Sequence, residues 1–203
     1  CIGSKAEFKE ICKKMVETGI KPDFITVDGA EGGTGAAPID FSNYVGMPWE
    51  KGLIFTVDTL NGFNLKKDIK IITATKIFTA FDIFKALSLG ADICNSARGM
   101  MVALGCIQAL RCDSNKCPTG VATNDPTLMR GLVVQDKWKR VKNYHEQTLE
   151  DFRDLLAGAG CSTLEELNRT LIYKNFNNKN KSYEKIYPSI EEGMYLKDLI
   201  STN

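Results

Sequence analysis

Three cysteines, Cys106, Cys112 and Cys117, crowd into the segment GCIQALRCDSNKCPTG (Gly105–Gly120) with the spacing C-x5-C-x4-C. Thiolates are soft ligands suited to iron–sulfur clusters or zinc, and three in one loop can converge on one site. Three cysteines match the three irons of a 3Fe–4S cluster, whereas zinc needs a fourth ligand. The only histidine, His145, lies well beyond the loop in a helix-like stretch, where it reads as a surface residue. Pro118 and Gly120 would turn the chain around the site, Pro118 by removing a competing backbone donor. The alternative is three buried free cysteines acting as small apolar residues. Arg111, Asp113, Asn115 and Lys116 do not make a core environment, so the ligand reading is the expectation.

Two other places have residues that could do chemistry. DGAEGGTGAAP (Asp28–Pro38) packs four glycines into a short turn, which lets backbone approach a ligand closely. Asp28, Glu31 and Thr34 are its only polar side chains, and glycine-rich turns often serve geometry alone. TATK (Thr73–Lys76) and NSARG (Asn95–Gly99) end two successive apolar runs. Lys76 and Arg98 supply charge there, and Thr75 and Ser96 can donate hydrogen bonds, as a phosphate held between two strand ends requires.

The elements that must position these residues alternate. Ala6–Thr18 has helical periodicity and stops at Gly19 and Pro22. Asp23–Val27, Ile69–Thr75 and Ala91–Ser96 read as buried strands, Ala80–Leu89 as an amphipathic helix, and Gly99–Leu110 as an apolar helix entering the cysteine loop. Strand, helix, strand is the pattern of parallel α/β proteins. Three strands are too few to close a barrel and would leave unpaired edges, so upstream strands or another chain are expected to complete it. Beyond Asp125 the character changes: a polar helical stretch over Met129–Gly158, a capping-box pattern at Ser162–Leu171, and an Asn/Lys-biased exposed loop at Asn175–Ser182. The expected division is residues 1–125, with the cysteine loop at 105–120, and a helical C-terminal extension over 126–203.

Composition bounds the partners. A formal charge of +1 with scattered basic and aromatic residues gives no reason to expect nucleic acid or an anionic membrane. The odd count of seven cysteines argues against a secreted disulfide framework and for a reducing, cytoplasmic setting. The chain opens on Cys1 rather than methionine, so an upstream portion, a membrane anchor included, is compatible with it. Cys94 and Cys161 show no partner by spacing, Met100 and Met101 read as core filler, and Lys137–Lys142 as a solvated helix face.

Taken together, DFITVDGAEGGTGAAP, FDIFKALSLGADICNSARG and GCIQALRCDSNKCPTGVAT resemble the FMN-binding domain of glutamate synthase and its stand-alone relatives, over about Cys1–Tyr187. The resemblance implies a TIM (β/α)8 barrel, of which this chain holds the C-terminal half: about the last four strands, with Cys1–Ser4 ending the first of them, plus the extension. It implies a reductive amination in which ammonia and 2-oxoglutarate form an iminoglutarate that accepts a hydride from reduced FMN, giving glutamate. Cys106, Cys112 and Cys117 match ligands of a 3Fe–4S cluster fed by ferredoxin or a pyridine-nucleotide-linked subunit. Gly32, Gly33, Thr34 and Gly35, with Asp28 and Glu31, match the loop bordering substrate and flavin. Thr75, Lys76, Ser96, Ala97 and Arg98 fall where the family holds the FMN phosphate. The family's substrate-clamping lysine falls upstream of residue 1. A homo-oligomer is compatible with all of this.

The chain departs from the family where classical members carry consecutive glycines and this chain has Thr75 and Lys76, and where they carry Gly-Thr and this chain has Ala97 and Arg98. The stand-alone relatives also keep glycine at the positions of Thr75 and Ala80. A β-branched residue does not readily take the positive φ that glycine allows, so an altered phosphate cradle is expected. Two other readings remain at this point. One is a flavin barrel acting on another small acid, which the cysteine loop disfavours. The other is a non-catalytic iron–sulfur subunit for electron transfer or assembly, which the loss of glycine at Thr75 keeps open.

Overall fold

The structure is a computed structural model and describes residues 2–31 and 37–200. It opens with α1 (Lys5–Thr18), where a strand end was expected at Cys1–Ser4; residues 2–4 form no strand, and Cys1 lies outside the described residues. The Ser4 hydroxyl accepts from the Glu7 amide at 3.3 Å and caps the helix start, and Gly19 closes its end with an N–H to the Met15 carbonyl. Then come β1 (Phe24–Val27), α2 (Ile39–Tyr44), α3 (Trp49–Gly62), β2 (Lys70–Thr73), α4 (Ala80–Ser88), β3 (Ile93–Cys94) and α5 (Arg98–Leu104). The strands form one parallel sheet in the order β1-β2-β3, with Val27 opposite Thr73 and Thr73 opposite Cys94. This is the parallel α/β arrangement expected, with three strands in the parallel sheet among the described residues rather than four.

The core lies between that sheet and α3, where Leu53, Leu60, Ile69, Ile71 and Leu89 are fully buried. The periodicity of the sequence gives no sign of α3. Its segment WEKGLIFTVDTLNG is buried on most of its circumference, so no polar stripe marks a helical repeat. Thr56 and Thr59 are buried inside it because their hydroxyls donate to the carbonyls of Gly52 (2.8 Å) and Phe55 (2.7 Å), one turn back. The start of α4 is fixed by a reciprocal capping box between Thr79 and Asp82.

Three expectations need correction. The helix expected over Gly99–Leu110 ends at Leu104, because Gly105 turns left-handed (φ 110°) and the chain enters an irregular loop. The helix expected over Met129–Gly158 starts later, as α7 (Val134–Gly158), and Met129 instead ends a short preceding helix, α6 (Pro126–Met129). They part where Gly131 packs against the Thr119 carbonyl of the cysteine loop, an approach that a Cβ would crowd to 3.0 Å. Finally, Asn175–Ser182 is not a loop. It belongs to a hairpin of β4 (Tyr173–Phe176) and β5 (Lys179–Ser182), turned by Asn177 (φ 52°) and Asn178 (φ 59°). Two left-handed residues make the turn whose twist suits a two-residue hairpin, and asparagine tolerates that conformation. The extension is therefore helical only in part, and it closes with α8 (Tyr183–Ile186) and α9 (Met194–Ile200) after a 3-10 turn at Leu164–Glu166.

The extension shares the core of the sheet unit, contributing Phe152, Leu167, Ile172 and Tyr183. Two ionic clamps hold it there. Arg169 makes a bidentate pair with Asp58 of α3, at 2.7 and 3.2 Å, and Glu50 at the start of α3 accepts from Lys85 (2.6 Å) and Lys174 (2.7 Å). Among the described residues, no helix is long and apolar enough to cross a membrane.

Candidate functional site at the strand ends

Parallel strands bring their C-terminal ends to one edge of the sheet, so the segments leaving β1, β2 and β3 meet there. Hydrogen bonds stitch them together. The Ala74 amide donates to the Val27 carbonyl (3.2 Å), the Gly29 amide to the Thr75 hydroxyl (3.0 Å), the Asn95 amide to the Thr73 carbonyl (2.8 Å), and the Ser96 hydroxyl to the Ile77 carbonyl (2.7 Å). The α7 helix adds a fourth contributor, since the Tyr144 hydroxyl donates to the Phe78 carbonyl. Thr75, Lys76, Ser96, Ala97 and Arg98 thus occupy two adjacent turns at one end of the sheet.

Thr75 takes the positive φ that its β-branched side chain resists. It sits at φ 99° and Lys76 at φ 53°, two consecutive left-handed residues with no glycine. Such a conformation costs on the order of 1–3 kcal/mol per residue and persists only where surrounding contacts hold it. The bond from Gly29 to the Thr75 hydroxyl is such a contact. Two consecutive positive-φ residues therefore end β2 without a glycine. Lys76 is exposed and Arg98 partly so, leaving both cations available to an anion at this edge.

At the end of β1, Asp28 is exposed and Gly29 buried. A Cβ on Gly29 would collide with the Glu31 carboxylate and with Trp49, so glycine is needed there for close approach. Glu31 accepts from the Trp49 amide at 2.8 Å, at the first residue of α3. Gly32, Gly33, Thr34 and Gly35 lie outside the described residues.

The cysteine loop departs from expectation. Among the described residues, no group of three His, Cys, Asp or Glu side chains gathers where a metal ion could sit, so Cys106, Cys112 and Cys117 are not brought to one point. Cys117 is shielded, and its thiol is lowered to about 7 by the Thr119 hydroxyl at 3.5 Å and by the backbone amides of Ala122, Thr119 and Val121. Donors that converge on sulfur stabilise the thiolate, the form that binds metal. Cys12 and Cys94 show the opposite: burial pushes their thiols up to about 11 and about 12. Three non-glycine residues of the loop, Gln108, Leu110 and Asn115, are left-handed, a density of strain typical of ligand clamps. His145 is exposed on α7, in keeping with a surface role.

A flavocytochrome b2 variant with sulfite bound has a similar fold, with a TM-score of 0.51 at 18% identity over 80% of this chain and 32% of that one. The family model described as a conserved region in glutamate synthase matches residues 2–162, and the chain belongs to that family. It is 43% identical over 161 residues to the glutamate synthase large subunit-like protein YerD of Bacillus subtilis, covering 79% of this chain and 31% of that protein. It is 37% identical over 145 residues to an archaeal glutamate synthase [NADPH] of Methanocaldococcus jannaschii, covering 71% and 28%. With a glutamate synthase [NADH] of Saccharomyces cerevisiae the identity is 35% over 161 residues, 78% of this chain and 7% of that one. The chain thus spans less than a third of each of these relatives.

Proposed function

We propose that this chain is the C-terminal part of an FMN-dependent barrel of the glutamate synthase type, in an enzyme that converts 2-oxoglutarate and ammonia to glutamate. The observation that carries the reading is the pair of left-handed residues Thr75 and Lys76, placed beside the Ser96–Arg98 turn at the C-terminal edge of a parallel sheet. Phosphate groups bind at this edge in barrel enzymes, between the loops after the last strands. Lys76 and Arg98 would neutralise the FMN phosphate, and the turned backbone would let it approach. The outer strands β1 and β3 are each paired on one side only among the described residues, and their open backbone edges are where further strands would pair to close the barrel.

Cys106, Cys112 and Cys117 would hold the 3Fe–4S cluster, supported by the donor set, the thiolate-favouring surroundings of Cys117 and the strained loop, and not by any convergence of the three thiols. When bound, FMN supplies hydride chemistry and the cluster one-electron chemistry. The chain's own part is to orient the flavin by its phosphate and to border the substrate with the loop leaving β1. Ferredoxin or a pyridine-nucleotide-linked subunit is the class of electron donor such an arrangement requires. The reading as a non-catalytic subunit rested on Thr75 spoiling the cradle, and Thr75 takes the positive φ that glycine allows.

The test is a single turnover. The natural full-length protein, carrying reduced FMN, is mixed with 2-oxoglutarate and ammonium under argon, and glutamate is counted against flavin reoxidised. Equal amounts support the reading; flavin that stays reduced while glutamate is absent contradicts it.

A further inference from the structure

The Gly29 amide and the Thr75 side chain belong to segments that leave different strands, and their hydrogen bond joins the glycine-rich loop after β1 to the turn after β2. The bond has two features that a chance surface contact lacks. Its acceptor is on a residue held at φ 99°, which a threonine adopts only when something holds it there. Its donor is on a buried glycine with no room for a side chain, packed between the Glu31 carboxylate and Trp49 at the start of α3. Glu31 is fixed in turn by the Trp49 amide, and Ala30 by the Met47 carbonyl at 3.0 Å. Thr75 therefore reaches across to Gly29–Glu31, a stretch that is itself bonded to the start of α3 and to Met47. A glycine at position 75 would take the same backbone conformation without strain but would leave the Gly29 amide without this partner.

We propose that Thr75 is a positioning residue whose hydroxyl locks the Gly29–Glu31 segment leaving β1 to the phosphate turn at β2, so that these two strand ends of the flavin site move as one piece. This rests on the functional reading above and assigns to this chain a coupling that a glycine at the same position does not provide. The locked bond also holds Thr75 in its left-handed conformation. Loop position and cradle shape are thereby tied to one hydroxyl.

Three substitutions in the natural full-length protein separate the effects. Thr75→Ser keeps the hydroxyl, Thr75→Val keeps the shape without it, and Thr75→Gly keeps the turn without the bond. Two readouts are needed: hydrogen exchange at the Gly29 amide in the flavin-free protein, and the affinity for FMN relative to riboflavin, which differs only in the phosphate. Thr75→Ser is expected to match the wild type in both. Thr75→Gly should speed Gly29 exchange roughly fivefold, as loss of one hydrogen bond implies, while keeping the FMN preference. Thr75→Val should speed exchange and also lower the FMN preference by a similar factor, because its strain is no longer held. Should Thr75→Val fail to fold, exchange in Thr75→Gly decides alone. Unchanged Gly29 exchange in Thr75→Gly overturns the proposal, as does an FMN preference that is unchanged in a folded Thr75→Val. A wild-type protein that binds riboflavin and FMN equally overturns the phosphate cradle itself, and the functional reading with it.

Discussion

The hydroxyl of Tyr144 on α7 lies against Gly99 in the first turn of α5, at a place where a Cβ on residue 99 would collide with it, and from there it donates to the Phe78 carbonyl. One side chain of the extension thus touches both turns of the candidate phosphate site. Its neighbours Val102, Ala103 and Arg140 line a shallow cleft of about 480 Å³ beside it. Gly99→Ala should displace Tyr144 and destabilise the protein by about 1–3 kcal/mol, the usual range for overpacking. Tyr144→Phe should cost about 1 kcal/mol for the lost hydrogen bond. Because the two share a contact, the double variant should lose less than the sum, as urea unfolding would show.

The clamp between Arg169 and Asp58 is nearly closed to solvent, with side-chain exposures of 5% and 14%. Arg169 also donates to the Tyr187 carbonyl at 3.2 Å. Arg169→Ala leaves a buried carboxylate without its partner and should cost about 3–5 kcal/mol. Replacing both, as Arg169→Met with Asp58→Leu, should recover most of that. If the double variant is no more stable than Arg169→Ala, the loss reflects packing of the arginine stem and not the charge.

Glu50 gives a pH prediction. Burial would raise its pKa, but hydrogen bonds from Lys174 and Lys85 outweigh that and bring it below its ordinary value of 4.5. The folded state therefore binds this proton less readily than the unfolded chain does. The resulting stability is fully present above the ordinary glutamate pKa and is lost as pH falls through the lowered folded value. Glu50→Gln should be less stable than the wild type at neutral pH and should lose less stability between about pH 5 and pH 3. Urea midpoints across that range check it, and parallel acid limbs in the two proteins would contradict it.

The hairpin turn of Asn177 and Asn178 predicts a contrast. Asn178→Gly should be neutral or stabilising by a few tenths of a kcal/mol, because glycine takes the left-handed conformation freely. Asn178→Val should cost about 1–2 kcal/mol, since a β-branched residue resists it. Thermal unfolding of the two variants measures the difference.

Much of the framework was legible because it obeys local rules. Apolar runs ending in TATK and NSARG could be read as strands whose ends meet, and the Thr163–Glu166 box marks where a turn begins. The helix α3 was not legible, since a segment buried on most sides has no polar face to set its period. The hairpin was missed because Asn-rich composition suits a loop and a left-handed turn equally, and only the pairing of Tyr173 with Ser182 decides between them. At the candidate site, residue types singled out the turns after β2 and β3 but gave no sign of the bonds inside them. That Glu31 accepts from the Trp49 amide, and that Thr75 receives the Gly29 amide, depends on a close approach between segments far apart in sequence. The reading of Thr75 as an obstacle followed from intrinsic backbone preference, which takes no account of a tertiary hydrogen bond.

The central claim is a flavin cradle beside a cluster-binding cysteine loop, and one measurement tests it most directly. The natural full-length protein is purified without oxygen, and its visible spectrum is taken with flavin, iron and sulfide assays on the same sample. The account predicts FMN together with about three irons per chain. A protein with neither cofactor, before and after anaerobic reconstitution with iron, sulfide and FMN, would contradict it.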